Sequence, residues 1–329
     1  MKADLVIAGL RAAPGTRAQG FVSLADGPAG TVVRAPLIII NGAEAGPTLL
    51  AVAGVHGDDL NTVPMIWRLA EQVPPADLRG QLLLVPVVNP LAYEAGTHVT
   101  PADNATPSFP GDPAGTISQR MGHGLYTQVV VHADFVLDMH GGSKNATLAC
   151  LASLDGGIEP GVYAAAQGIA EAFHPEVIVV HEPKAGAGGL SLAASRRGAP
   201  GVYLGLGQMG FNEVDTLRGV AGVVNILRFL SLLPGSPQPA ATPPAYTITE
   251  LYQRSPLGGA FEAAVGPGAV VTAGQCLGWL RDVFGQPIGE VAAQVDGVVD
   301  AIRNYPVVAA GDWVVSIARW PAPAERSDI

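Results

Sequence analysis

Leu49-Leu50-Ala51-Val52-Ala53-Gly54-Val55 runs directly into His56-Gly57-Asp58-Asp59, and further on Phe135-Val136-Leu137 runs into Asp138-Met139-His140. Each apolar run is short and lacks polar alternation, the pattern of a strand covered on both faces. Each ends in imidazole and carboxylate groups. His56 and Asp59 stand three residues apart and can converge on one ion from a single turn, with His140 closing the set from a neighbouring strand. Two neutral imidazoles and a carboxylate are a common protein contribution to a catalytic zinc, leaving a coordination position for water. Asp138, two residues before His140, lies on the same strand face and is placed to accept from its ring and fix the tautomer.

Working outward, further apolar runs alternate with amphipathic ones. Strands are expected over Leu37–Ile40, Leu49–Val55, Leu82–Val88, Phe135–Met139, Val177–His181 and Val202–Leu206. Helices are expected over Thr62–Val73, Thr116–Val131, Pro160–Ala172 and Thr216–Leu232. This alternation implies an α/β domain over residues 1–232, with a mixed sheet flanked by helices and an N-terminal β segment over 1–33. Ligands of such sheets gather at the carboxyl ends of strands, where His56, Asp59, Asn89 and His140 fall.

The Pro-rich stretch from 233 to 245 removes backbone donors and disfavours helix, so it reads as a semi-extended linker. Beyond it the texture changes to short β patterns: Thr247–Leu251, Gly259–Ala264, Gln275–Leu280, Gly289–Ala292, Gly297–Ile302 and Trp313–Ile317, with turns at Val265–Gly268 and Ala309–Asp312. A small all-β domain is expected over 246–322, followed by a tail over 323–329. Its spacing is similar to the hairpins of biotinyl/lipoyl-type barrels. Such carriers need a lysine at a hairpin tip, and the last lysine of this chain is Lys184, so a carrier role is excluded.

Composition narrows the partners. The formal charge is −10, and the lysines are Lys2, Lys144 and Lys184 alone, so no basic run exists to track a phosphate backbone or an anionic membrane. No apolar run approaches the ~18 residues that span a bilayer. Leu5–Leu10 is too short for a signal-peptide core. Cys150 and Cys276 lie far apart in apolar stretches and read as small buried hydrophobes, so a cytoplasmic location is expected.

Six segments in order resemble the succinylglutamate desuccinylase/aspartoacylase family, related to the zinc carboxypeptidases. They are Ala53-Gly54-Val55-His56-Gly57-Asp58-Asp59, Val85-Pro86-Val87-Val88-Asn89-Pro90, Ala95-Gly96-Thr97-His98, Phe109-Pro110-Gly111-Asp112, Leu137-Asp138-Met139-His140 and Pro200-Gly201-Val202-Tyr203-Leu204-Gly205-Leu206-Gly207. The likeness spans about Gly30 to Ala318 and is nearest the branch with a small β domain, to which N-acetyl-diaminobutyrate deacetylase belongs. It implies a zinc-dependent amidohydrolase acting on a small N-acyl amino acid through metal-activated water, with one zinc per chain on His56, Asp59 and His140. Asp59 replaces the family's usual glutamate and is shorter by one methylene.

Three other departures touch catalysis. The family's Gly-Thr-Arg becomes Gly96-Thr97-His98, so a titratable donor replaces a permanent guanidinium. Its Leu-Asn-Arg becomes Ala105-Thr106-Pro107, which removes a carboxylate clamp. Its Glu-x-Gly, the carrier of the general base, becomes Gly205-Leu206-Gly207. His98 is then the expected electrophilic helper, Lys144 and Asn89 are expected substrate contacts, and Glu213 is the expected replacement base. The alternative is a catalytically impaired member acting as a small-molecule or metal-binding protein. A homo-oligomer is possible, with the β domain covering its own subunit's cleft or a neighbour's.

Overall fold

The computed structural model describes residues 2–27, 30–183 and 188–322; the expected tail over 323–329 lies outside the described residues. The central strands follow from the apolar runs. β1 (Leu5–Ile7) and β2 (Leu10–Ala12) form a small hairpin, and β3 (Thr16–Asp26) and β4 (Val32–Asn41) pair antiparallel at one edge of the large sheet. β5 (Glu44–Val52) lies parallel to β6 (Arg79–Val85) and to β7 (Phe135–Gly141). Along β5, Leu49 and Ala51 enter one hydrophobic core, while Leu50 and Val52 enter another. Both faces are therefore covered, which is why the run shows no polar alternation.

Helices α1 (Val63–Gln72), α4 (Pro160–Ala172) and α6 (Glu213–Phe229) cover one face of the sheet. The other face takes α3 (Ile117–Gln128) and α5 (Leu190–Arg196), while the short α2 (Pro90–Ala95) follows β6. α6 begins at Glu213, three residues before the expected start: Asn212 caps it by accepting from the amides of Val214 and Asp215, and the first turn is acidic. Among the described residues no helix is long and apolar enough to cross a membrane.

β8 (Ala146–Asp155) had no counterpart among the expected strands, and it organises the second half of the molecule. It pairs antiparallel with β10 (Gly201–Gly207), parallel with β9 (Val177–His181), and antiparallel with β16 (Gly297–Arg303). β9 pairs with β11 (Ala245–Arg254), β11 with β18 (Trp313–Arg319), and β18 with β16. The strands β8, β9, β11, β18 and β16 thus close into a ring within one twelve-stranded sheet. A separate four-stranded sheet, β15–β14–β12–β17, packs on this ring through Phe261, Leu277 and Leu280. Its strands are β12 (Gly259–Ala263), β14 (Cys276–Arg281), β15 (Pro287–Ala292) and β17 (Val307–Val308). The C-terminal β module is therefore hydrogen-bonded into the main sheet. The Pro-rich stretch is exposed for most of its length, yet it is tied to α6 where Gln238 exchanges hydrogen bonds with Asn225 (2.6 and 3.2 Å).

Candidate metal centre

β5 ends at Val52, and the chain then crosses the carboxyl edge of the sheet. Backbone bonds from Val88 to Ala53 and from Asn89 to Gly54 hold the crossing segment (3.0 and 2.9 Å). Gly57 passes so close to α2 that a Cβ there would lie 2.1 Å from the backbone carbon of Ala92. Gly57→Ala is accordingly expected to cost about 1–3 kcal/mol, the usual range for overpacking, read as a lowered Tm. On the other side, β7 runs between β5 and β10, with Val52 opposite Asp138 and Gly205 opposite His140. The parallel register brings the two sequence motifs together.

His56 Nδ1, Asp59 Oδ2 and His140 Nδ1 form a triangle with edges of 2.9, 3.0 and 3.2 Å. A tetrahedral zinc with bonds of about 2.0–2.1 Å separates its ligand atoms by about 3.3 Å, slightly wider than this triangle. The shorter aspartate therefore reaches: residue 59 caps the 3-10 turn at Leu60–Thr62, and its backbone amide folds back to the carbonyl of His56 (3.3 Å). His140 Nε2 meets Asp138 Oδ1 at 3.1 Å, so that ring is oriented from behind by a carboxylate.

His98 also brings a ligand atom within 4.8 Å of His56 and Asp59. Its ring, however, stacks on that of His56 with centroids 3.9 Å apart and planes inclined by 12°. An imidazole nitrogen donates to a metal within its ring plane, and near-parallel planes do not meet close to the rings. His56 and His140 are inclined by 56° at 4.9 Å, which lets their planes cross at a common ion. The donor set that fits zinc is thus His56, Asp59 and His140.

The carboxylates around the triangle favour positive charge there. Asp58, Asp59 and Asp138 are each 2% exposed, so three carboxylates are withdrawn from water within one cluster. Burial pushes Asp59 up, but hydrogen bonds from His140 and His56 outweigh it and hold the carboxyl at about 2. Burial opposes charge on His140, and the flanking Asp138 and Asp59 overcome it, carrying the ring to about 10. His56 is lowered, chiefly by burial.

Asp58 is more than a turn residue. Its Oδ1 lies 2.8 Å from His98 Nδ1, and its Oδ2 accepts from the amide of Lys144 at 3.1 Å. The hydrogen bond to Asp58 raises the His98 pKa, favouring the imidazolium at the rim of the site. Lys144 is exposed, and its ammonium donates to the carbonyl of Gly96 at the end of α2. Asp58 therefore ties the His98 ring to the backbone of Lys144.

Two expected residues are placed elsewhere. Asn89 is fully buried: its Oδ1 caps α2 by accepting from Ala92, while its Nδ2 faces the Val55 carbonyl and Thr100 Oγ1, which leaves no group for a substrate. Glu213 sits on the surface at the start of α6, paired with Arg68 at 3.5 Å, and no contact joins it to the histidine cluster. The Asn-Pro and Asn-Glu pairs at these positions are helix-start signals, and that reading explains both residues.

Position 205 carries no base either. A Cβ there would meet Tyr203 Cε1 at 3.1 Å, Leu148 Cδ1 at 3.2 Å and Leu151 Cδ1 at 3.3 Å. Tyr203, which the sequence reading did not single out, stacks on His140 with centroids 4.5 Å apart and planes inclined by 17°. Its place two residues before Gly205, on the same strand face, was the available signal.

Helices thus cover both faces of a mixed sheet, an α/β fold in which histidines and aspartates converge at the carboxyl edge. Residues 45–230, more than half of the chain, match the Succinylglutamate desuccinylase/Aspartoacylase catalytic domain, and the chain belongs to that family. It is 29% identical over 313 residues, covering 91% of this chain and 90% of the relative, to N-alpha-acetyl-L-2,4-diaminobutyric acid deacetylase of Halomonas elongata. Among solved structures it is similar to a succinylglutamate desuccinylase/aspartoacylase from Rhodobacter sphaeroides (TM-score 0.82, 26% identity, covering 93% of this chain and 96% of that one). The product-bound ectoine utilization protein from Ruegeria pomeroyi shares the fold (TM-score 0.83, 24% identity, 97% of each chain).

Proposed function

We propose that this protein is a zinc-dependent deacylase that hydrolyses the amide of a small N-acyl amino acid or related compound, with its general base altered. The observation that carries this reading is the triangle of His56 Nδ1, Asp59 Oδ2 and His140 Nδ1, with edges of 2.9–3.2 Å. Zinc held there supplies a Lewis acid for the acyl carbonyl and lowers the pKa of water. Asp138 fixes the His140 tautomer through Nε2. His98, whose hydrogen bond to Asp58 favours the imidazolium, offers a donor to the oxygen on which negative charge develops. Lys144, whose backbone amide is held by Asp58 and whose ammonium rests on the Gly96 carbonyl, adds a positive charge for a substrate carboxylate.

The filled space at Gly205 favours a second reading, a family member that retains its metal and its ligand while turning over slowly. Losing a positioned general base forfeits roughly 10²–10⁴ in rate. One experiment separates these readings: metal content by elemental mass spectrometry for the parent and a His56→Ala/His140→Ala variant, followed by hydrolysis of an N-acyl amino-acid panel. About one zinc per chain with turnover supports the deacylase, and zinc without turnover supports the binding protein. Absence of zinc after reconstitution overturns both. Asp138→Asn is expected to weaken zinc binding about 10–100-fold while leaving the ion bound at high zinc, measured by competition with a chromogenic chelator.

A further inference from the structure

The first turns of α6 and the loop before them expose an apolar surface that nothing among the described residues covers. Phe211 is 62% exposed, Val214 74% and Leu217 51%, and Trp67 of α1 joins them at 42%. Phe211 and Trp67 meet edge to face with ring centres 5.6 Å apart. Val214 and Leu217 stand three residues apart and share one face of α6. Single exposed apolar residues need no explanation, but a contiguous patch with two aromatic rings marks an interaction surface. The patch is also held in place. Asn212 caps α6, and Asp215 accepts from the amide of Gln208 at 3.3 Å, so a partner meets a preorganised surface.

The order of charges says which partner fits. α6 opens Glu213-Val214-Asp215-Thr216-Leu217-Arg218. About the midpoint between Asp215 and Thr216, Glu213 mirrors Arg218 with opposite charge, and Val214 mirrors Leu217 as an apolar pair. Two copies of α6 crossing antiparallel on a two-fold axis at that point set Val214 against the partner's Leu217 and Glu213 against the partner's Arg218, each contact being made twice. All four side chains are exposed. At the axis itself Thr216 is buried and Asp215 is turned to Gln208, so no like charges meet there. Within the chain Glu213 pairs with Arg68 at 3.5 Å and Arg218 with Glu176 at 2.9 Å. Such exposed pairs are weak and do not hold these groups back from a partner. A polyanion or an anionic bilayer would meet as many carboxylates as guanidiniums on this face.

We propose that this face docks a second copy of the chain, α6 against α6 about a two-fold axis, with Val214, Leu217, Phe211 and Trp67 as its apolar centre and the Glu213–Arg218 contacts as its rim. The proposal stands on the exposed patch and its charge order, and does not rest on the deacylase reading. The loop over 208–212 that carries Phe211 continues β10, and Gly142, two residues past His140, lies so close to it that a Cβ there would come within 2.5 Å of Gln208 Cα. A docked partner therefore braces a loop that adjoins the His140 segment.

Sedimentation equilibrium of the full chain tests this, and a mass twice that of the single chain is expected at concentrations up to about 50 µM. Leu217→Glu and Val214→Glu should each weaken association at least about a hundredfold. Both side chains are exposed, so the far-ultraviolet dichroism of these variants should match the parent. Glu213→Arg should weaken association at least about tenfold, and adding Arg218→Glu to the same chain should restore it, because a two-fold contact between these positions pairs the reversed charges again. A parent that sediments as a single chain throughout this range overturns the proposal and leaves the face to a different protein. A dimer that persists in both apolar variants, or a charge reversal that has no effect or is not rescued, overturns it as well. None of these readouts is turnover or metal content, so failure of this proposal and failure of the deacylase reading are distinguishable.

Discussion

Glutamate introduced at position 205 alone is expected to give a less stable protein with no gain in hydrolysis, whereas Tyr203→Val/Gly205→Glu is expected to gain roughly 10²–10⁴-fold on N-acyl amino acids, the usual worth of a positioned base. The reason is spatial. Gly205 is opposite His140 across the β7–β10 pairing, so a carboxylate on it has the right strand position. The first atom of that side chain would meet Tyr203 at 3.1 Å and two leucine methyls at 3.2 and 3.3 Å. Tyr203 fills the path that a longer arm needs, and the single variant drives a carboxylate into an apolar wall. Trimming the ring clears the path. Steady-state hydrolysis and Tm of the parent, the single and the double variant check this. Should the double variant fold, hold zinc and remain as slow as the parent, the altered base is not what limits the site.

Asp300→Asn is expected to stabilise the protein strongly at pH 8 and to be nearly neutral at pH 4. The usual carboxyl value of 3.8 becomes about 7 in the folded chain, so the native state holds this proton more tightly than the unfolded state does. Between those values the native state binds more protons, and stability falls as pH rises through the window from about 4 to 7. The shift corresponds to at most about 4 kcal/mol, all of it present above pH 7. The amide carries no such burden. Urea denaturation of parent and variant at pH 4, 6 and 8 reads the difference directly. A constant gap across the three pH values would show that Asp300 is not titrating in this window.

Much of this architecture is legible in the residues. The two strand-end motifs come together in the triangle of His56, Asp59 and His140 because each side chain lies at the carboxyl end of an apolar run, and parallel register does the rest. The strands after residue 245 are legible because tight turns punctuate them. β8 is not: Ala146-Thr147-Leu148-Ala149-Cys150-Leu151-Ala152-Ser153 is poor in β-branched residues, and its place is set by three partners distant in sequence. The surroundings of Asp300 are hidden for the same reason, since β16 pairs with β18 and with the distant β8. Proximity in sequence does not place Asn89 and Glu213 beside the histidine cluster: the first is buried at the start of α2 and the second is exposed at the start of α6. Asn89 spends its side chain capping α2, and Glu213 follows the Asn212 cap of α6 and pairs with Arg68.

The ring of strands has a mechanical consequence. β8 and β9 precede the Pro-rich stretch and β11, β16 and β18 follow it, and each pairs with two neighbours in the circle. Neither half can be peeled away without breaking ladders that belong to both, and the exposed edges would be sticky templates for other chains. The C-terminal module is thus a keystone, not an appendage. A chain built this way is expected to melt in a single event, and the cluster of histidines and aspartates at the sheet edge persists or vanishes with the ring.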